Sequence, residues 1–580
     1  MTPRPFRPAG PSRGGDPPKV YDHLEDLPLR APSRPPGEPD AGGGAAWIAI
    51  FLGFGLRLWQ YLANPSLWVD EAAVARSVLD RGFARLFGGL DYGQVAPPGF
   101  LVGVKLTAVL FGGSEYALRL VPLIAGLAGP VLFHFVARQL LRPVGATAAT
   151  SLFSLAVPLI YFSANLKQYS SDVAVTLGVI WLALKAGRSA LGARGAFCYA
   201  FGAGLALFLS YSAVFTVTAA GASLLVDAIV RRLPDLRWRV ALVMLWAIAV
   251  LAAIAYGRSA LSPFDQAYLH RFWAGGFLPL SGASAWLWKA SRSVFAVSNP
   301  TAFDGSLHYP WPAPFVLLAL LGGVVLWLRK VSWGVLMTGP IVLALAASAA
   351  RAYPWNARLC LFLLPLFLLG LVAGAERLGD LVRWPPARFL PLCLLPFAAF
   401  ALLRQPPPWK PEHLRPVLER AVERVRPGDV LWVYYGAGQA YRYYSKSIPW
   451  AGDVRVATCD RADPRDLLRQ IDIERGRRRV WVLLAHGSGP FGFDERGTLL
   501  RYLGTIGRRL EDFHAPAEDA SSGRAEAVLF DLSDPARLAA TTADRFSIGD
   551  VPPPRTWTCY GTMSPDGSVR KVEAAVLSAP

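Results

Sequence analysis

The sequence predicts a polytopic α-helical membrane protein of about eleven transmembrane helices, followed by a C-terminal soluble α/β domain. Three observations predict it. Of 580 residues, 53% are hydrophobic and 17% charged, where a soluble chain carries roughly a quarter charged; the mean hydropathy is +0.33. Apolar runs near the ~20 residues that cross a bilayer recur between residues 46 and 403 and then stop. The basic excess lies there too: 27 Lys and Arg against 12 Asp and Glu in 46–403, with 6 against 6 before and 26 against 23 after. Positive charge between apolar segments is what cytoplasmic loops carry. A nucleic-acid surface would instead need clustered basic and aromatic residues on one soluble face. A disordered chain, a coiled coil and an ordinary cytosolic enzyme are excluded by the same composition.

Residues 1–45 are rich in Pro, Gly and Arg without apolar periodicity, and read as a disordered cytoplasmic tail. No short apolar core follows a basic start, so the first apolar run serves as a span and not as a secretory signal. Spans are expected near 46–63, 119–137, 144–162, 172–187, 196–211, 212–230, 238–256, 312–328, 332–350, 358–374 and 388–403. With the N-terminus inside, every cytoplasmic loop is then basic: 138–142, 185–194, 231–239, 329–330 and 377–388. The segment 97–111 is apolar but short and contains Lys105. Spanning would turn the later basic loops outward, so it is expected to insert partly or lie on the surface.

The texture changes at QPPPWKP, which breaks the last helix. Beyond it, helical stretches such as PEHLRPVLERAVERV alternate with strand-like runs DVLWVYYGA, VWVLLA and EAVLFDL. That alternation predicts a periplasmic α/β domain over 404–580 with a mainly parallel sheet. Cys459 and Cys559 lie in it and could pair in an oxidising compartment. GAGQA lacks a dinucleotide fingerprint and reads as a turn. His486 follows a strand, where loop residues bind ligands in some sheets.

Chemistry is expected on the outer face. The first outer loop opens NPSLWVDEA, with Asp70 and Glu71 at the start of a surface helix. A carboxylate there can accept a proton from an attacking hydroxyl, hold a divalent cation, or simply cap the helix. Arg119, in GSEYALR, stands at a span's outer end, where its fork suits a lipid phosphate or snorkels to the interface. The second outer loop contains Lys167, Tyr169 and Asp172. A carboxylate at the edge of a span needs a partner, and Lys167 and Arg119 are the candidates. The loop RAYPWNAR sets Arg351 and Arg358 before an apolar run, suiting a lipid with an anionic head or a plain membrane anchor.

The order LWVDEA, PP, GSEYALR, S-x-N-x-K-x-Y-x-x-D and YPWNARLCLFLLP resembles the GT-C superfamily of polyprenyl-phosphate-sugar-dependent glycosyltransferases. The kin are glycosyltransferase family 39, with the protein O-mannosyltransferases and aminoarabinose–lipid A transferases. The resemblance covers roughly 46–375. It implies a GT-C-like transmembrane domain over 46–403 and sugar transfer on the periplasmic face of a bacterial inner membrane. The donor would be a polyprenyl-phosphate-linked sugar, the acceptor a glycan, lipid or protein, with inversion at the anomeric carbon. Asp70, with Glu71 beside it, would be catalytic and Asp172 would support it; Lys167 and Tyr169 would shape the pocket. Arg119, Arg351 and Arg358 would hold the phosphate. No cofactor is certain; Asp70 and Asp172 leave a divalent cation, Mg or Mn, open. Two departures stand out. Ala96 replaces a His or Lys often found before Pro97-Pro98, and Asn165 and Lys167 replace an acidic residue and an Arg. The rival is a non-enzymatic lipid or solute transporter, or an envelope-assembly scaffold. It accounts for composition but not for carboxylates at the outer edge, since transporters place ionisable groups near the midplane.

Overall fold

The structure, a computed structural model, describes residues 43–295, 307–382, 384–459, 463, 465–486, 494–515 and 524–548, with two short strands at 562–563 and 569–570. Of the tail expected over 1–45, only 43–45 are among the described residues, and they already belong to the first helix. Cys559 also lies outside them.

The apolar region folds as helices in the expected order. α1 (Gly43–Leu62) is followed by the shorter α2 (Val69–Asp80) and α3 (Pro98–Phe111), then by α4 (Glu115–Leu140). α5 (Pro143–Leu155) and α6 (Val157–Tyr161) form a bent unit. Next come α7 (Tyr169–Ala186), α8 (Ala193–Leu209), α9 (Ala213–Val230) and α10 (Leu236–Ser259). The connection between α10 and α13 carries α11 (Pro263–Phe272) and α12 (Ala283–Phe295). α13 (Pro312–Arg329), α14 (Val331–Ala349), α15 (Leu364–Leu381) and α16 (Leu395–Arg404), which a 3-10 segment Pro385–Leu394 extends to 20 residues, complete the region. Among the described residues nine helices are long and apolar enough to cross a bilayer, and the α5–α6 unit, bent by 56°, makes a tenth. α8, with 17 residues, corresponds to the remaining expected span. α3 has 14 residues, about 21 Å at 1.5 Å each, short of the ~30 Å apolar thickness. Its Lys105 ammonium donates to the Val78 and Leu79 carbonyls near the end of α2.

Pro158 explains the bend. It has no N–H to give to the Ser154 carbonyl and its ring clashes with the preceding turn. The carbonyl so released accepts from Arg57 of α1 at 3.0 Å. A fully buried arginine thus satisfies a backbone group that the broken helix abandons. Elsewhere small residues bring backbones together. A Cβ on Gly322 of α13 would run into the Gly370 carbonyl of α15, and one on Gly374 into the Leu318 carbonyl.

The basic loops gather at one end of the bundle. Arg142 pairs with Asp380 at 2.6 Å, Arg329 with Glu376 at 2.9 Å, and Lys330 with Asp227 at 2.7 Å. Asp235 accepts from the Leu191 amide and from Arg239. The other end carries the C-terminal domain.

That domain comprises α17 (Leu414–Val422), β1 (Val430–Val433), α18 (Gly438–Tyr444), β2 (Asp453–Val456), α19 (Asp466–Ile471), β3 (Val480–Leu484), α20 (Glu495–Ile506), β4 (Arg508–His514), β5 (Glu526–Asp531) and α21 (Pro535–Ala540). The sheet order is β2-β1-β3-β5-β4. β1 is parallel to β2 and β3, whereas β5 is antiparallel to both β3 and β4. The sheet is therefore mixed, not mainly parallel. The two strands that escape the sequence pattern, β2 and β4, are its edges; they read DVRV and RRLEDFH and are largely exposed. Charged residues suit an edge because they discourage pairing with another chain.

The contact between α13 and α15 makes a prediction. Gly374→Val should lower bundle stability by about 1–3 kcal/mol through overpacking, seen as a reduced Tm in lipid nanodiscs. Gly55→Ala, where nothing lies within 4 Å, should leave Tm unchanged or raise it.

Candidate active site

The site begins with the loop between α1 and α2. Pro65 and Ser66 give their carbonyls to Arg119 of α4, at 2.6 and 3.3 Å. The same guanidinium grips Glu71 in two bonds of 2.9 and 2.6 Å, with both side chains almost wholly buried. Glu71 also accepts from the Leu166 amide at 2.5 Å. One buried pair thus ties together the entry to α2, the start of α4 and the loop before α7. Glu71 and Arg119 do not line the cavity described below. The expectation that Arg119 holds a lipid phosphate fails on this geometry, because its fork is committed to Glu71 and two carbonyls. Nor does Arg119 partner Asp172.

Asp70, one residue earlier, points the other way. Successive helical residues are turned by about 100°, so with Glu71 in the core Asp70 faces a cavity of about 980 Å³. Lys167 stands 3.9 Å from its carboxylate and Arg358 3.7 Å. The Gln94 amide donates to Asp70 at 3.3 Å and accepts from the Lys167 ammonium. Burial alone would raise the Asp70 pKa; positive charge around it, Lys167 first and then Arg358, holds the carboxyl below its ordinary range. For Lys167 burial prevails, and the ammonium is held below its usual value. The helix cap that an acidic pair could have supplied comes from elsewhere: the Val69 amide donates to Glu412 of the C-terminal domain at 3.1 Å.

The cavity brings together most of the residues expected to act. Asp70, Lys167, Tyr169, Asp172, Arg351 and Arg358 all line it. Asp172 meets neither proposed cation; it accepts from the Ser210 hydroxyl at 2.5 Å. Arg358 lies 5.1 Å from the Trp273 ring centroid and 6.0 Å from that of Trp68, a stacked setting that leaves a guanidinium pre-oriented. Gln94 and Trp273 were not among the expected site residues. Gln94 stood in the same loop as Asp70, whereas nothing local marks Trp273. The donor set does not fit a resident divalent cation. Asp70 is already balanced by two cationic groups, and the described residues gather no cluster of three or more His, Cys, Asp or Glu.

The C-terminal domain closes one wall, where Tyr435, Gly436, Gln439, Cys459 and His486 line the cavity. Cys459 is disulfide-bonded. The domain is fastened to the 64–71 loop. The Leu67 amide donates to the Tyr444 hydroxyl at 2.8 Å, and Arg415 bonds Glu115 and the Asn64 carbonyl. His413 Nδ1 accepts from the Ser66 amide at 3.1 Å and meets the Ser66 hydroxyl at 2.8 Å.

No family model matches the chain, and no curated protein matches it in sequence. Among solved structures the chain is similar to ArnT from Cupriavidus metallidurans in the apo state, at 13% identity and a TM-score of 0.45, covering 84% of this chain and 98% of that one. It is similar to the Archaeoglobus fulgidus oligosaccharyltransferase in complex with Zn and sulfate, at 10% identity and a TM-score of 0.46, covering 83% and 72%. ArnT bound to undecaprenyl phosphate matches at 15% identity and a TM-score of 0.37, covering 84% and 98%. At these scores the likenesses carry no argument about chemistry, which rests on the residues of the site.

Two predictions follow from the anchoring groups. Glu71→Gln leaves the Arg119 charge buried without its counter-ion and should cost about 3–5 kcal/mol of stability, measured by unfolding in lipid. Burial holds the His413 pKa at about 4, down from 6.5. The unfolded state therefore takes up this proton first, and stability rises with pH between the two values. Docking of the C-terminal domain should be intact above pH 6.5 and weaken as pH falls toward about 4. Hydrogen exchange of residues 64–68 against pH reads this, and His413→Asn should remove the dependence.

Proposed function

We propose that the protein is a membrane glycosyltransferase that moves a sugar from a polyprenyl-phosphate donor to an acceptor hydroxyl in this cavity. One observation carries the reading: an ionised carboxylate, Asp70, sits beside Lys167 and Arg358 in a large cavity between the helix bundle and the C-terminal domain. The resemblance in motif order points the same way. In this reading Asp70 takes the proton of the acceptor hydroxyl. The acceptor oxygen bonds to the anomeric carbon as the carbon–oxygen bond to phosphate breaks, and its electron pair leaves on the phosphate. Lys167 and Arg358, with Arg351 nearby, would balance the charge that develops there. Displacement from the opposite face inverts the anomeric carbon.

The apolar side of the cavity suits the prenyl chain, since Ile254, Leu261, Leu269 and Phe272 line it. Lys167 supplies an ammonium in the region where Ala96 supplies none. We place the cavity on the periplasmic face of a bacterial inner membrane, because the basic loops gather at the other end of the bundle. The acceptor in this reading is an envelope glycan, lipid or protein.

Donor turnover tests the reading. With the protein in lipid nanodiscs and a panel of undecaprenyl-phosphate sugars, wild type should release undecaprenyl phosphate and Asp70→Asn should be at least about 100-fold slower. Equal turnover by the two would sink the mechanism. Arg358→Met should weaken undecaprenyl phosphate binding. Lys167→Met removes a cation that holds the Asp70 pKa down, so the acid limb of kcat/KM should move to higher pH; an unmoved limb would exclude Asp70 as the titrating base.

A further inference from the structure

The C-terminal domain delivers a histidine and a glutamate to the site that the mechanism above leaves unused. After β1 the chain crosses to β2 on one side, and after β3 it continues on the other. Diverging strand ends of this kind form the crevice where open α/β sheets bind ligands. Tyr435 and Gly436 after β1, and His486 after β3, line the cavity. His486 Nδ1 lies 2.6 Å from Glu412 Oε1. The other oxygen of Glu412 accepts from the Val69 amide, next to Asp70. A single carboxylate therefore orients both the imidazole and the helix start that presents Asp70.

The backbone at this place is also constrained. His486 and Glu412 both take left-handed φ angles, +54° and +51°. Tyr92 and Arg351, which line the cavity, do so as well, at +62° and +54°. Such conformations persist in non-glycine residues where the surroundings over-determine them, and they cluster at functional sites.

We propose that His486, held by Glu412, is a proton-relay residue that takes the proton from Asp70 after each transfer; the inference rests on the glycosyltransferase reading above. Asp70 receives the acceptor's proton but, held below the ordinary carboxylate range, is a weak base and a poor final resting place for it. An imidazole, with an ordinary pKa near 6.5, is the stronger base. Glu412 holds a hydrogen on Nδ1, which leaves the lone pair on Nε2. The proton passes from the Asp70 carboxyl to Nε2, directly or through cavity water. Asp70 becomes carboxylate again, the Glu412 carboxylate balances the imidazolium, and the imidazolium then yields its proton to solvent. Glu412, from the chain before α17, touches the ring; the charged groups that share the cavity with His486 are Asp70 of α2, Lys167 before α7, Asp172 of α7, Arg258 of α10, and Arg351 and Arg358 before α15.

The test uses full-length protein in nanodiscs with the undecaprenyl-phosphate sugar that wild type turns over. His486→Ala should lower kcat about 10- to 100-fold, leave donor KM and undecaprenyl phosphate binding within twofold, and flatten kcat between pH 5 and 8. Added imidazole should restore much of the loss. Glu412→Gln should shift the inflection in that range downward. A His486→Ala enzyme with wild-type kcat and pH profile would overturn the relay while leaving the donor reading intact. So would a loss that imidazole does not restore, or one accompanied by lost phosphate binding or a lower Tm, because either marks a structural role. Asp70→Asn run in parallel separates the cases: if it turns over as fast as wild type, or if wild type accepts no donor, the glycosyltransferase reading itself fails and takes the relay with it.

Discussion

The buried pair between Glu71 and Arg119 is the constraint on which the site depends. Two desolvated charges are costly unless their remaining bonding capacity is met, and here it is met by two segments, the loop before α2 and the loop before α7. Arg119 takes the Pro65 and Ser66 carbonyls, and Glu71 takes the Leu166 amide. The loop that precedes α2 is thereby fixed in position and in rotation. Asp70 faces the cavity because its neighbour is locked into the core. Lys167, one residue after Leu166, is brought to Asp70 by the same contact.

The cavity that results has a lopsided charge. Lys167, Arg351, Arg358 and Arg258 line it with Asp70 and Asp172, and Asp172 is occupied by a serine hydroxyl. One carboxylate among several cations, beside apolar walls, is the setting on which the proposed lipid-phosphate donor rests. The same imbalance explains why a resident divalent cation has no place: the cations are already side chains. The C-terminal domain completes the enclosure with polar groups, so the site joins an apolar half from the bundle to a hydrogen-bonding half from the sheet.

Much of this was legible in the sequence. Apolar periodicity and the basic loops marked the helices and separated the two ends of the bundle, since both signals are local and repeated. Asp70, Lys167 and Arg358 could be singled out because polar residues at the edge of a span need a reason. What could not be read was how adjacent residues divide. Asp70 and Glu71 look alike in sequence, and only helix rotation against Arg119, 48 residues away, turns one toward the cavity and the other into the core. Arg119 itself looked like a phosphate ligand because its fork fits either partner. β2 and β4 escaped because edge strands tolerate charges that blur the alternating pattern. Trp273 carries no local mark at all; its place beside Arg358 is set by how the connection between α10 and α13 folds over the bundle.

The bond from the Val69 amide to Glu412 joins residues 343 positions apart, and it has a consequence for the order of synthesis. At roughly 5–20 residues per second, the ribosome makes Asp70 tens of seconds before the carboxylate that orients its helix. During that interval the nascent bundle is already in contact with lipid while the wall carrying His486 does not yet exist. A half-made chain therefore lacks one wall of the cavity. The cavity is completed late, when the last third of the chain folds back onto the loop before α2.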